Sequence, residues 1–187
     1  MRTIIGIAGA PGAGKSTFAA RLAEERGGVH LPMDGFHLAD VTLRRLGLLD
    51  RKGAPETFDA WGFAALLARL RAEPAEVVYA PGFERALEQP IAGAVAVPPD
   101  ASLVVTEGNY LLLDRPEWRA VRAQLDEVWF LAAEEEVRRS RLVARHIEFG
   151  KSPDEAERWV SRVDDPNAAL VAATAASADR IVQVDAP

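Results

Sequence analysis

The octapeptide Gly9-Ala10-Pro11-Gly12-Ala13-Gly14-Lys15-Ser16 constrains the fold more than any other feature of the chain. A β-branched apolar run, Thr3–Ala8, precedes it and reads as a buried strand. Ser16–Arg26 follows, with Phe18, Ala19, Leu22 and Ala23 on one helical stripe and Gly27-Gly28 as a stop. A strand, a glycine-rich turn and a helix in that order make a cradle for a polyphosphate. Glycines let successive backbone N–H groups point inward, and the helix start adds its positive end. Gly9, Ala10, Gly12, Ala13, Gly14 and Thr17 would line the cradle, Lys15 would supply a point charge, and the Ser16 hydroxyl would ligate Mg²⁺. Arg2 and the apolar run also have the outline of a secretory leader. The same residues complete the phosphate loop, so a cytoplasmic location is expected.

The rest of the chain alternates in the same way. Val29–Met33, Leu103–Thr106, Val128–Leu131 and Arg180–Val184 read as short strands. Asp59–Arg71, with Asp59 as N-cap, and Glu134–Phe149 read as helices. Asp114-Arg115-Pro116-Glu117 carries a capping-box pattern and opens a helix to about Leu125. Ser152-Pro153-Asp154-Glu155 carries another, for a helix through Val163 that Asp164-Asp165-Pro166 ends. Alternation predicts one α/β domain: a P-loop three-layer sandwich with a five-stranded parallel sheet and helices on both faces. The Pro- and Gly-richer stretch 79–99 breaks the alternation and reads as an insertion over the sheet edge, a small hairpin.

Composition removes other classes. The 187 residues carry no cysteine, so thiolate metal sites and cysteine nucleophiles are excluded, and three scattered histidines do not suggest a metal cluster. A net charge of −6 gives no global attraction to nucleic acid or an anionic membrane, and neither is expected as a partner. No apolar run approaches the roughly 18 residues of a membrane span. No Asn-Lys-x-Asp guanine-reading tetrapeptide occurs, and the chain is short for a motor or transporter ATPase, which leaves the small kinases.

Asp34, in Pro32-Met33-Asp34-Gly35-Phe36-His37, ends the second strand, where ligands of open α/β sheets bind. A carboxylate there is placed to accept the proton of an acceptor hydroxyl. An ordinary Asp-Gly turn has the same pattern. Glu107 ends the third strand, a usual place to hold Mg²⁺, and its length would also let it reach the substrate. Glu134 and Glu135 stand four residues before Arg138 and Arg139 and read as their partners. Arg141 and Arg145 are like charges at i, i+4, which costs about a few tenths of a kcal/mol that an external anion relieves. This predicts a helical lid over about 138–152 that brings both arginines onto nucleotide phosphates. Phe58, Trp61 and Phe83 are candidates to line an acceptor pocket.

The loop, Met33-Asp34-Gly35-Phe36-His37, Gly53-Ala54-Pro55-Glu56-Thr57-Phe58-Asp59, Thr106-Glu107-Gly108-Asn109-Tyr110 and Arg141–Gly150 resemble the uridine kinase/phosphoribulokinase superfamily. The middle stretch is similar to type I pantothenate kinase, and the short nucleoside or fructose-transport kinase-like proteins are nearer still. The resemblance implies ATP- and Mg²⁺-dependent phosphoryl transfer to a small-molecule hydroxyl. Asp34 would be the base, Arg141 and Arg145 the lid arginines, and Asn167 would lie near the adenine. His37, Tyr79, Arg85 and Asn109 would stand on the acceptor side, with Glu107. The chain lacks the extended C-terminal portion of pantothenate kinase, and Asp34-Gly35-Phe36-His37 replaces the uridine kinase Asp-Ser-Phe-Tyr pattern. An NTP hydrolase and a nucleotide-dependent regulatory protein are the alternatives, and a homodimer is open.

Overall fold

The structure, a computed structural model, describes residues 2–72 and 75–184. Five strands, β1 (Thr3–Ala8), β2 (Val29–Pro32), β5 (Leu103–Gly108), β6 (Glu127–Ala132) and β7 (Arg180–Gln183), form one parallel sheet in the order β2-β5-β1-β6-β7. Register brings three strand ends level: Glu107 lies beside Pro32 on one side and Ile7 on the other. Side chains alternate across the sheet. Ile4, Leu31, Val104, Val128 and Phe130 pack on one face under α3 (Ala60–Arg71) and α4 (Pro116–Arg122). Ile5, Ile7, Val105, Trp129 and Leu131 pack on the other against Ala19, Leu22 and Ala23 of α1 (Lys15–Glu25). Both faces are covered, which is why the strands are almost continuously apolar.

A hairpin of β3 (Val78–Glu84) and β4 (Gln89–Val97) fills the expected insertion. It is seated by close backbone contact. A Cβ built on Gly35 would stand 2.2 Å from the Pro81 carbonyl oxygen, so any side chain there would push the hairpin away. At its base, the buried Arg2 guanidinium donates to the carbonyls of Leu70, Pro98, Pro99 and Ala101, at 2.7–3.1 Å. That ties the first strand to the end of α3 and the chain leaving β4.

Several local expectations hold. The Asp59 carboxylate caps α3 by accepting from Gly62 N–H at 2.8 Å, and Ser152 and Glu155 form a reciprocal capping box on α6 (Pro153–Trp159). Others do not. Asp114 makes no box: its carboxylate takes the Arg119 guanidinium at 2.6 Å, and α4 starts after Arg115 with no side-chain cap and ends at Arg122. Asp164-Asp165-Pro166 does not stop the chain's helical course. A π-turn, Val160–Asp164, leads directly into α7 (Asp165–Ala172). Pro166 stands in the first turn of α7, directly after the π-turn, where the backbone hydrogen-bond pattern changes. Glu134 and Glu135 do not partner the arginines after them. On α5 (Glu135–Glu148), Arg138 and Arg139 both reach across to Asp165, at 3.2 and 3.1 Å. A further short helix, α2 (Asp40–Leu46), has no counterpart among the expected elements.

Candidate active site

The phosphate loop spans from the end of β1 to the start of α1. Gly12 has φ +80°, and a Cβ there would lie 2.5 Å from the Arg138 carbonyl oxygen, so the loop packs directly on the backbone of α5. Lys15 is buried, and its Nζ donates to Ala10 O at 3.0 Å. Burial pushes its pKa down to about 8, against the pull of Glu107 and Asp34. Ser16 Oγ donates to Glu107 Oε1 at 3.1 Å. Burial and the nearby Asp34 charge push the Glu107 carboxyl up to about 7. A hydroxyl and a carboxylate meeting beside a buried lysine are two hard oxygen donors of the kind Mg²⁺ takes alongside phosphate oxygens and water. His30 Nε2 lies 3.9 Å from the same Glu107 oxygen and has no hydrogen-bond partner. Nothing in the sequence around His30 pointed to it.

Asp34 sits on the tight turn Met33–Phe36 that follows β2, and it lines the same pocket as Lys15, Ser16, Glu107 and Asn109. Its Oδ2 accepts from Arg85 Nη2 at 2.7 Å, and its Oδ1 faces His37 Nε2 at 3.9 Å. The His37 ring lies against Phe58, with centroids 4.0 Å apart, and near Phe83 at 5.1 Å. Burial pushes the His37 pKa down to about 4, so the ring is neutral, and its buried Nδ1 has no partner. Lys52, unremarked in the sequence, reaches the pocket from the loop before α3. Its Nζ bonds Asp40 at 2.8 Å and the Glu88 carbonyl in the hairpin turn. All three lysines of the chain, Lys15, Lys52 and Lys151, line this one pocket.

Opposite the hairpin, α5 sends Arg145 and His146 into the pocket. His146 Nε2 is 2.9 Å from Asp164 Oδ2, and Lys151 Nζ is 3.3 Å from His146 Nδ1. Asp164 reaches the pocket because the π-turn adds a residue to the helical path there. Arg141 does not join Arg145. It borders a neighbouring groove with Gly14, Thr17, Arg21, Leu131 and Val184, on the α1 side of the loop. Its Nη1 stands 3.7 Å from where a Cβ on Gly14 would lie, against the loop itself.

The buried Asn167 amide donates to Gly53 O at 3.4 Å, the carbonyl that also accepts from Tyr110, so it braces the Gly53 loop. Tyr79 alternates outward on the hairpin and is 63% exposed, outside the pocket. Trp61 is 60% exposed on α3, whereas Phe58 and Phe83 do line the pocket.

The pattern that defines the Phosphoribulokinase / Uridine kinase family matches residues 4–186. The chain belongs to that family. A protein of Silicibacter sp. TM1040, provisionally named a fructose transport system kinase, superposes with a TM-score of 0.88 at 40% identity, covering 97% of this chain and 89% of its own. The Escherichia coli protein YggC is 35% identical over 98% of this chain and 78% of its own length. A Schizosaccharomyces pombe protein, provisionally named a uridine kinase, is 36% identical over 87% and 74%. Membership makes the chain a P-loop kinase that uses ATP. No helix among the described residues is long and apolar enough to cross a membrane.

Proposed function

We propose that the protein transfers the γ-phosphoryl group of ATP, with Mg²⁺, to a hydroxyl of a small metabolite. The observation that carries this reading is the meeting of Lys15, Ser16, Asp34, Glu107 and Arg145 in one pocket at the carboxyl ends of β1, β2 and β5. Lys15 and Arg145 face the phosphoryl group in flight and offset its charge. Ser16 and Glu107 would hold Mg²⁺, which on binding supplies charge neutralisation at the phosphate oxygens. Asp34 orients the acceptor hydroxyl and takes its proton as the new O–P bond forms and the bond to ADP breaks. The groove beside Arg141 and Thr17, continuous in sequence with the loop, suits the nucleoside end of ATP. The hairpin supplies Phe83, Arg85 and Glu88 to the pocket, on the side where a kinase must keep water from replacing the acceptor.

Incubation with γ-labelled ATP and Mg²⁺ against nucleosides, sugars and carboxylated or phosphorylated alcohols tests the reading. Label should move to one acceptor in the wild type and fall by roughly 10²–10⁴-fold in Asp34→Asn. Label appearing only in inorganic phosphate would support a hydrolase instead.

A further inference from the structure

The two oxygens of Asp34 have different surroundings. Oδ2 is held by Arg85 at 2.7 Å, while Oδ1 faces His37 Nε2 at 3.9 Å, beyond hydrogen-bond reach. Arg85 does not come from the strand end that carries Asp34. It stands in the turn between β3 and β4, with its guanidinium over the Phe83 ring at 5.1 Å. That turn is fastened by Lys52, which joins Asp40 to the Glu88 carbonyl, and by Gln89 Oε1, which accepts from Asp40 N–H at 3.2 Å. The backbone beneath Asp34 is fixed separately, by the close approach of Gly35 to Pro81.

Resting on the reading of Asp34 as the proton acceptor, we infer that Arg85 is a positioning residue for that carboxylate. It pins Oδ2, leaves Oδ1 as the oxygen offered to the acceptor hydroxyl, and makes that arrangement conditional on a seated hairpin. A carboxylate torsion is otherwise broad and two-fold, so one fixed oxygen sets the direction of the other.

Charge gives the pairing a second role. The groups facing Asp34 are Lys15 from α1, Glu107 from β5, Arg145 from α5, His37 from its own turn and Arg85 from the hairpin. Burial pushes the Asp34 carboxyl up, but His37, Arg85, Lys15 and Arg145 outweigh it and hold the group below its ordinary value. His37 is neutral near pH 7, which leaves three cations. Nucleotide phosphates would engage Lys15 and Arg145. Arg85 is then the cation left to face Asp34 beside a polyanion.

The test compares wild type, Arg85→Lys, Arg85→Gln and Asp34→Asn. Carboxyl ¹³C resonances, assigned to Asp34 by their loss in Asp34→Asn, are titrated in the free protein and with ADP. The Asp34 midpoint should rise by about one unit or more in Arg85→Gln, more so with ADP, and return most of the way in Arg85→Lys. With the acceptor from the label assay, the acid limb of kcat/KM should move to higher pH in the same order. The kcat of Arg85→Gln should drop roughly tenfold or more, with the KM for ATP nearly unchanged. In an Asp34→Asn background the Arg85 change should add almost nothing. An unmoved midpoint, losses that multiply, or a rise in acceptor KM alone would overturn the inference. Absence of any phosphorylated alcohol would sink the kinase reading instead, and the titration would still decide the role of Arg85.

Discussion

The two walls of the pocket are held by different means. On the phosphate wall, sheet register and backbone contacts fix the groups: Glu107 is level with Pro32, Ser16 bonds Glu107, and Gly12 lies against the Arg138 carbonyl. On the acceptor wall, side chains of the hairpin turn are held by a handful of polar ties centred on Lys52, Asp40 and Arg85. The first wall cannot shift without disturbing the core; in the second, the turn at 85–88 shifts when a few hydrogen bonds break, while the strands beneath it stay seated on Gly35 and the core. A kinase that binds one constant nucleotide and must close over a particular acceptor suits this division.

The phosphate wall should therefore show the largest single loss. Lys15→Ala removes a buried charge whose Nζ meets the loop at Ala10. Transfer should fall roughly 10³-fold, with the fold intact by circular dichroism. A loss under tenfold would mean that the loop backbone alone carries the phosphate charge. Because burial sets the Lys15 pKa at about 8, wild-type nucleotide affinity should decline as pH rises through that value, and fluorescent-nucleotide titration checks it.

The next effect concerns stability. The Glu107 pKa is raised by burial and by Asp34 from an ordinary 4.5 to about 7. A carboxyl that binds its proton more tightly folded than unfolded weakens the fold as pH rises from 4.5 to 7, and the full cost remains above 7. Glu107→Gln should consequently stabilise the protein at pH 8, by at most about 3 kcal/mol, and change little at pH 4. The same variant should bind Mg²⁺-nucleotide more weakly. Equal melting temperatures for the two proteins at pH 8 would show that Ser16 and Lys15 already compensate the buried charge.

The same division explains what the sequence revealed. The phosphate wall is written in contiguous residues, because a strand, a loop and a helix must follow one another. The strand-end positions of Asp34 and Glu107 were legible for that reason, and so was the hairpin at 78–97, from its Pro and Gly content. The acceptor wall depends on contacts between distant segments, and local patterns misled there. Tyr79 and Trp61 are aromatic but point outward, a matter of strand and helix phase. Lys52, Lys151 and Asp164 carried no motif. A composition signal did exist for two of them, since a chain with only three lysines places all of them at this pocket. Asp164 was hidden by Pro166, which looked like a helix end and instead begins α7 after a π-turn.

Loosening the acceptor wall alone should give the smallest effect and the sharpest contrast. Lys52→Met keeps most of the length of the side chain but removes the ammonium that joins Asp40 to the hairpin turn and stands over the Phe83 ring at 5.6 Å. Asp40 retains Gln89 at its backbone N–H, so the turn is weakened and not released. The lost charged hydrogen bonds are worth about 1.5–3 kcal/mol each in a buried setting and less here, where the pair is partly solvated. Amide exchange at residues 85–89 should quicken several-fold while the β1, β5 and β6 amides stay protected. The acceptor KM should rise about tenfold or less, and the KM for ATP should hold. Equal acceleration in both walls would mean that the hairpin and the sheet open as one unit, and the contrast between them would be lost.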